Sequence, residues 1–94
     1  MFTTVWKFAV RPEAVPEFER HYGPEGTWTS LFRKAHGYLG TELYRSTAHA
    51  GEYLTIDRWI DAAAYRAFRD EYAAEYEAID RACEELTEAE EKIA

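Results

Sequence analysis

Neither asparagine nor glutamine occurs among the 94 residues, so no catalytic scheme built on a side-chain amide is open to this chain. A single cysteine, Cys83, excludes an internal disulfide. The three histidines, His21, His36 and His49, lie fifteen and thirteen residues apart, which fits no metal-ligand pattern. No P-loop, no dinucleotide-binding glycine pattern and no G-x-S-x-G elbow is present. No apolar run approaches the ~20 residues of a membrane span, and nothing at the N-terminus reads as a secretory signal. These absences predict a cytosolic protein that uses no metal and does not enter the membrane.

Ninety-four residues suit one domain spanning 1–94. Hydrophobic residues at 47% are enough for a core, and three Trp, seven Tyr and five Phe are a generous aromatic share. The net charge of −7 is unevenly placed. Residues 1–60 carry seven acids and seven bases, so the excess belongs to the last third, with eleven acids and four bases. Such a surface repels phosphate backbones, and nucleic acid is excluded as a partner.

Residues 2–10, FTTVWKFAV, alternate in a strand pattern, with Phe2, Thr4, Trp6, Phe8 and Val10 on one face. From Glu13 the period becomes helical through Val15, Phe18 and Tyr22, and Gly23 offers a left-handed cap. Pro24 then suits the first turn of a second helix carrying Trp28, Leu31, Phe32 and Ala35. The stretch HYGPEGTW (21–28) is thus a helix break and restart. Residues 37–46 and 52–60 read as two strands joined by a polar hairpin connection at Gly51. Asp61 is placed to cap a long helix whose stripe is Tyr65, Phe68, Tyr72, Tyr76, Ile79, Cys83 and Leu86. Thr87 and Glu90 have capping-box spacing, which predicts a short final helix.

The expected order is β-α-α-β-β-α-α, an α+β ferredoxin-like antiparallel sheet with helices on one face and its fourth strand short or missing. Val5, Ala9 and the 52–60 strand are too apolar for the other face to stay wet. A homodimer through that sheet face is the expected closure.

W-x-F-x-V-x-P-E (6–13), FERHYG (18–23), GYLGTELYR (37–45) and YLTIDRW (53–59) together resemble the antibiotic biosynthesis monooxygenase (ABM) domain. The resemblance covers about residues 2–80 and implies a dimeric α+β barrel. It also implies oxygenation of an electron-rich phenolic or anthrone-like substrate without metal, flavin or other cofactor. The haem-degrading branch resembles the chain in outline but uses an Asn, a Trp and a His. The first two positions correspond to Trp6 and Phe68, and no histidine follows His49, so that chemistry is disfavoured.

For such a reaction the protein must bind a flat ring, handle a phenolic proton and keep water from radical intermediates. His21, beside the helix break, and Tyr72 are the candidate catalytic residues. By the resemblance, Trp6 points between sheet and helices, where relatives hold substrate. Tyr22, Trp28, Phe32, Phe68 and Tyr76 extend the candidate binding wall, and Arg58 is placed to neutralise a phenolate. The plainer readings stand beside these. His21 suits a helix end, the aromatics suit a core, and Arg58 suits an ion pair with Glu42. Asp57 and Arg58 are consecutive on a strand, so they point to opposite faces and each needs a partner. The leading function is a cofactor-independent monooxygenase acting on a small polyphenolic, quinol or anthrone-like molecule. A non-catalytic dimer that binds a small aromatic ligand, or a purely structural dimer, is the alternative. A cavity below ~300 Å³ would count against both ligand-binding readings.

Overall fold

The alternation of residues 2–10 builds a central strand, β1 (Phe2–Val10), in a computed structural model that describes residues 1–94. Thr4, Phe8 and Val10 are buried on its inner face, while Lys7 and Ala9 are exposed on the outer one. The chain continues through α1 (Val15–Tyr22), α2 (Thr27–Phe32), β2 (Tyr38–Arg45) and β3 (Glu52–Trp59). It ends with α3 (Ala62–Glu71), α4 (Ala73–Cys83) and β4 (Thr87–Lys92). The sheet order is β2-β3-β1-β4 with every neighbour antiparallel, the ferredoxin-like arrangement. No helix is long and apolar enough to cross a membrane.

The final segment departs from expectation. Thr87–Lys92 is not a helix but the fourth strand, paired with β1 in a register that sets Phe8 opposite Glu90. Backbone bonds continue the pairing beyond the strand, with Ile93 N–H donating to the Val5 carbonyl at 2.8 Å. Its composition gives no alternating apolar signal because it is an edge strand, and its charges discourage pairing with other chains.

The helix break is also built differently. Gly23 is extended (φ −71°, ψ 168°), not left-handed, and Pro24 lies in the turn, since α2 begins only at Thr27 with Gly26 as its cap residue. A side chain at Gly26 would stand 2.5 Å from the Arg20 carbonyl oxygen and 2.6 Å from that of His21. Glycine there lets the second helix press against the end of the first. The expected long helix is divided at Tyr72 (φ −109°, ψ 27°). Asp61 caps α3 as its sequence position predicts, its Oδ1 accepting from the Ala64 N–H at 2.8 Å.

The core lies between the inner sheet face and the helices. Phe18 and Trp59 are fully buried. Phe18 stacks on Tyr22 at 4.2 Å and meets Phe8 and Tyr53 edge-on or tilted at 5.2 and 5.0 Å. Trp59 is enclosed by Phe32, Tyr38, Tyr65 and Phe68. The outer sheet face has no helix on it. Leu54 is 36% and Tyr44 49% exposed there, beside half-buried Val5 and Ile56.

Candidate functional site

Where the inner sheet face pulls away from the helices, a cavity of about 230 Å³ remains. Trp6 and Phe8 of β1, Tyr22 of α1, Trp28 and Phe32 of α2, and Tyr76 of α4 form its aromatic wall. The wall is braced by its own packing: Trp28 lies edge-on to Tyr76 at 4.8 Å, and Tyr22 edge-on to Phe8 at 4.9 Å. Rings fixed in this way present a rigid apolar slot to a flat ligand.

The polar groups come from five elements. Thr41 of β2 and Thr55 and Asp57 of β3 lie on the sheet side; Arg69 of α3, Asp80 of α4 and Glu90 of β4 approach from the helices and the edge strand. Asp57 is 9% exposed and sits directly across from Thr4 and Thr41 in the sheet. The Thr41 hydroxyl donates to Asp57 Oδ1 at 2.6 Å. Because that hydroxyl has one proton, the Tyr38 hydroxyl, 2.6 Å from Thr41 Oγ1, donates to it in turn. Burial pushes the Asp57 carboxyl up to about 6, opposed by the hydroxyls of Thr41 and Thr4, which favour the ionised form. Burial likewise raises Tyr76 to about 12, so its hydroxyl keeps its proton near neutrality. The Arg69 guanidinium lies 3.9 Å from the centre of the Tyr76 ring and donates to the Tyr65 hydroxyl at 3.0 Å.

Five of the residues expected in the binding wall, Trp6, Tyr22, Trp28, Phe32 and Tyr76, do meet at this cavity. The other four candidates lie elsewhere. His21 Nδ1 contacts Thr27 Oγ1 at 2.8 Å and ties α1 to α2 across the break. Tyr72 turns its hydroxyl to the Lys34 carbonyl at 3.2 Å. Phe68 is buried behind the wall against Phe32 and Trp59. Arg58 faces the other side of the sheet and is paired with Glu42. Seven lining residues were missed as site residues, and the most consequential chemically is Asp57. Its signal was present: it is the one charged residue on the inner face of β3, between Thr55 and Trp59.

These features define a small α+β protein of ferredoxin-like topology with a small aromatic-walled cavity under its helices. The sequence profile of antibiotic biosynthesis monooxygenases matches residues 1–81, and the chain belongs to that family. Solved structures share the fold. A mutant of SnoaB, described as a cofactor-independent oxygenase from Streptomyces nogalater, superposes with a TM-score of 0.68 at 22% identity, over 96% of this chain and 85% of that one. A candidate antibiotic biosynthesis monooxygenase from Deinococcus radiodurans gives 0.74 at 16% identity, over 98% and 87%. A conserved Methanosarcina mazei protein gives 0.69 at 18% identity, over 96% and 83%. No curated protein matches the chain by sequence.

Proposed function

We propose that this protein is a cofactor-independent monooxygenase of small, electron-rich phenols, working as a homodimer. The observation that carries the reading is the aromatic slot with one buried carboxylate at its sheet side, in a chain of this family. A phenol whose proton has been removed can itself reduce O₂, so the protein need only bind the ring, accept the proton and limit water. The described activity of SnoaB is of the same kind.

The volume narrows the substrate. About 230 Å³ is below the ~300 Å³ at which ligand pockets usually begin, which by the criterion set from sequence counts against both ligand readings, and most heavily against a three-ring anthrone held entirely inside. An engineered cavity of about 150 Å³ takes a benzene, so one or two rings suit this space. Naphthols and hydroquinones therefore replace anthrones as the favoured class.

Oxygen uptake, measured with a chelator present over hydroquinones, dihydroxynaphthalenes and anthrones, tests this. Protein-dependent uptake should be greatest for the two-ring phenols and fall at least tenfold in Trp6→Ala. Saturable binding without turnover would identify a carrier or sensor instead.

The outer sheet face is the proposed dimer surface, because Val5, Leu54, Ile56 and Tyr44 form its uncovered apolar area. Sedimentation should give about twice the 10.9 kDa chain mass, and a charge at Ile56 (Ile56→Glu) should return it to one chain. A monomeric parent protein would end the dimer proposal.

A further inference from the structure

We propose that Asp57 is the proton acceptor of this site, taking the hydroxyl proton of a bound phenol on the carboxylate oxygen that Thr41 leaves free. The inference rests on the oxygenase reading and gives it a specific residue. Three observations converge. Asp57 lines the aromatic cavity and is itself buried, whereas the two other acids that reach the cavity, Asp80 and Glu90, are exposed. Its Oδ1 is held by Thr41, which is itself held by Tyr38. That chain donates in one direction, from Tyr38 through Thr41 to the carboxylate, so it fixes the acceptor's orientation without using its second oxygen. Thr41 makes the one close side-chain hydrogen bond to the carboxylate, at Oδ1; the Thr4 hydroxyl directly across the sheet also favours its ionised form, and no cation pairs with it.

The chemistry balances with O₂ as the only co-reactant. The substrate O–H bond breaks, its proton bonds to Asp57, and the electron pair stays on the ring. The phenolate passes electrons to O₂ and a carbon–oxygen bond forms at a ring carbon bearing hydrogen. The O–O bond then breaks: one oxygen becomes a carbonyl as that carbon loses its proton, and the other leaves as water, made with that proton and the one returned by Asp57. For 1-naphthol the sum is naphthol plus O₂ giving the para-quinone plus water.

Other titratable groups line the same space, Tyr22, Tyr76, Arg69, Asp80 and Glu90, and Tyr38 is linked to Asp57 through Thr41. Glu90, although exposed by surface area, has its carboxyl raised by partial desolvation, with Asp80 and Glu84 adding to it, so a pH profile alone would be ambiguous. The methyl ether of 1-naphthol, which has no proton to give, isolates the proton transfer, and Asp57→Asn separates Asp57 from Glu90.

Calorimetry under anaerobic conditions should show 1-naphthol binding about tenfold more tightly at pH 7.5 than at pH 5, the size of one hydrogen bond to a charged acceptor. The ether should bind equally at both, and Asp57→Asn should remove the pH dependence for naphthol. In air, Asp57→Asn should lower uptake about 10²- to 10⁴-fold, and Thr41→Val, which releases the carboxylate, about tenfold. Naphthol affinity that does not vary with pH, or uptake by Asp57→Asn within threefold of the parent protein, overturns the proposal. pH-dependent naphthol binding with no uptake by the parent protein would instead sink the oxygenase reading and leave the acceptor role standing. The binding comparison needs no variant, so it survives a substitution that fails to fold.

Discussion

Asp57→Asn should raise stability by about 3 kcal/mol at pH 8 and change it little at pH 4. The Asp57 carboxyl stands at about 6 in the folded protein, against an ordinary value of 3.8. The folded state therefore holds this proton more tightly than the unfolded chain does. Its contribution to stability is fully present below about 3.8, is lost as pH rises through 6, and is absent above about 7. Two pKa units correspond to about 3 kcal/mol. Asparagine cannot ionise, while its carbonyl can still accept from Thr41. With a urea slope of about 1–3 kcal/mol per molar, the midpoint should move up by about 1–3 M at pH 8. A midpoint difference equal at the two pH values would show that the ionised carboxylate is not what strains this site. If the variant is more stable and less active together, loss of structure is removed as the explanation for its lost activity.

Trp59→Ala should have the opposite effect, a loss of about 3–5 kcal/mol. Trp59 is completely buried, with Phe68 at 5.0 Å, Tyr38 at 5.3 Å, Tyr65 at 5.6 Å and Phe32 at 5.7 Å between ring centres. Alanine would leave those four rings facing a void. The indole N–H has no acceptor, so the loss is one of packing and not of a hydrogen bond. For a domain of this length each kcal/mol moves the midpoint by about 4–8 °C, so thermal unfolding should begin at least about 12 °C lower. Trp59→Phe keeps most of the ring contacts and removes the unpaired donor, and should lose less than half as much. A Trp59→Ala protein within about 5 °C of the parent would mean that the surrounding rings collapse into the space.

The parts of the fold that could be read from sequence are those set by neighbouring residues. The two-residue period of β1, the cap at Asp61 and the turn at Gly51 are local matters, and each stands where its residues put it. β4 was misread because Thr87, Ala89 and Glu90 carry no apolar alternation. What makes that segment a strand is the free edge of β1, which only the assembled sheet supplies. The site divides the same way. The aromatic wall follows from stripes that local spacing reveals. The place of Asp57 in the cavity depends on its lying opposite Thr41 in the β2–β3 register and sharing the lining with Tyr76 and Trp28, elements that sequence distance does not connect. His21 and Tyr72 attracted notice as chemically able residues beside suggestive neighbours. Both are instead occupied in joining helical segments to what lies next to them, at Thr27 and Lys34.

The pairing of β1 with β4 has a consequence for how the molecule forms. It joins Trp6 to Lys92 and Val10 to Thr87, residues from opposite ends of the chain, whereas β2 and β3 meet across a short turn. Closing the larger loop forfeits more chain entropy, and contacts so distant in sequence slow folding. The hairpin is thus the natural early structure and the edge strand the natural late one. Glu90, and with it one side of the cavity, is supplied by that late strand. A partly folded chain would have its rings clustered before it had a finished place to bind anything.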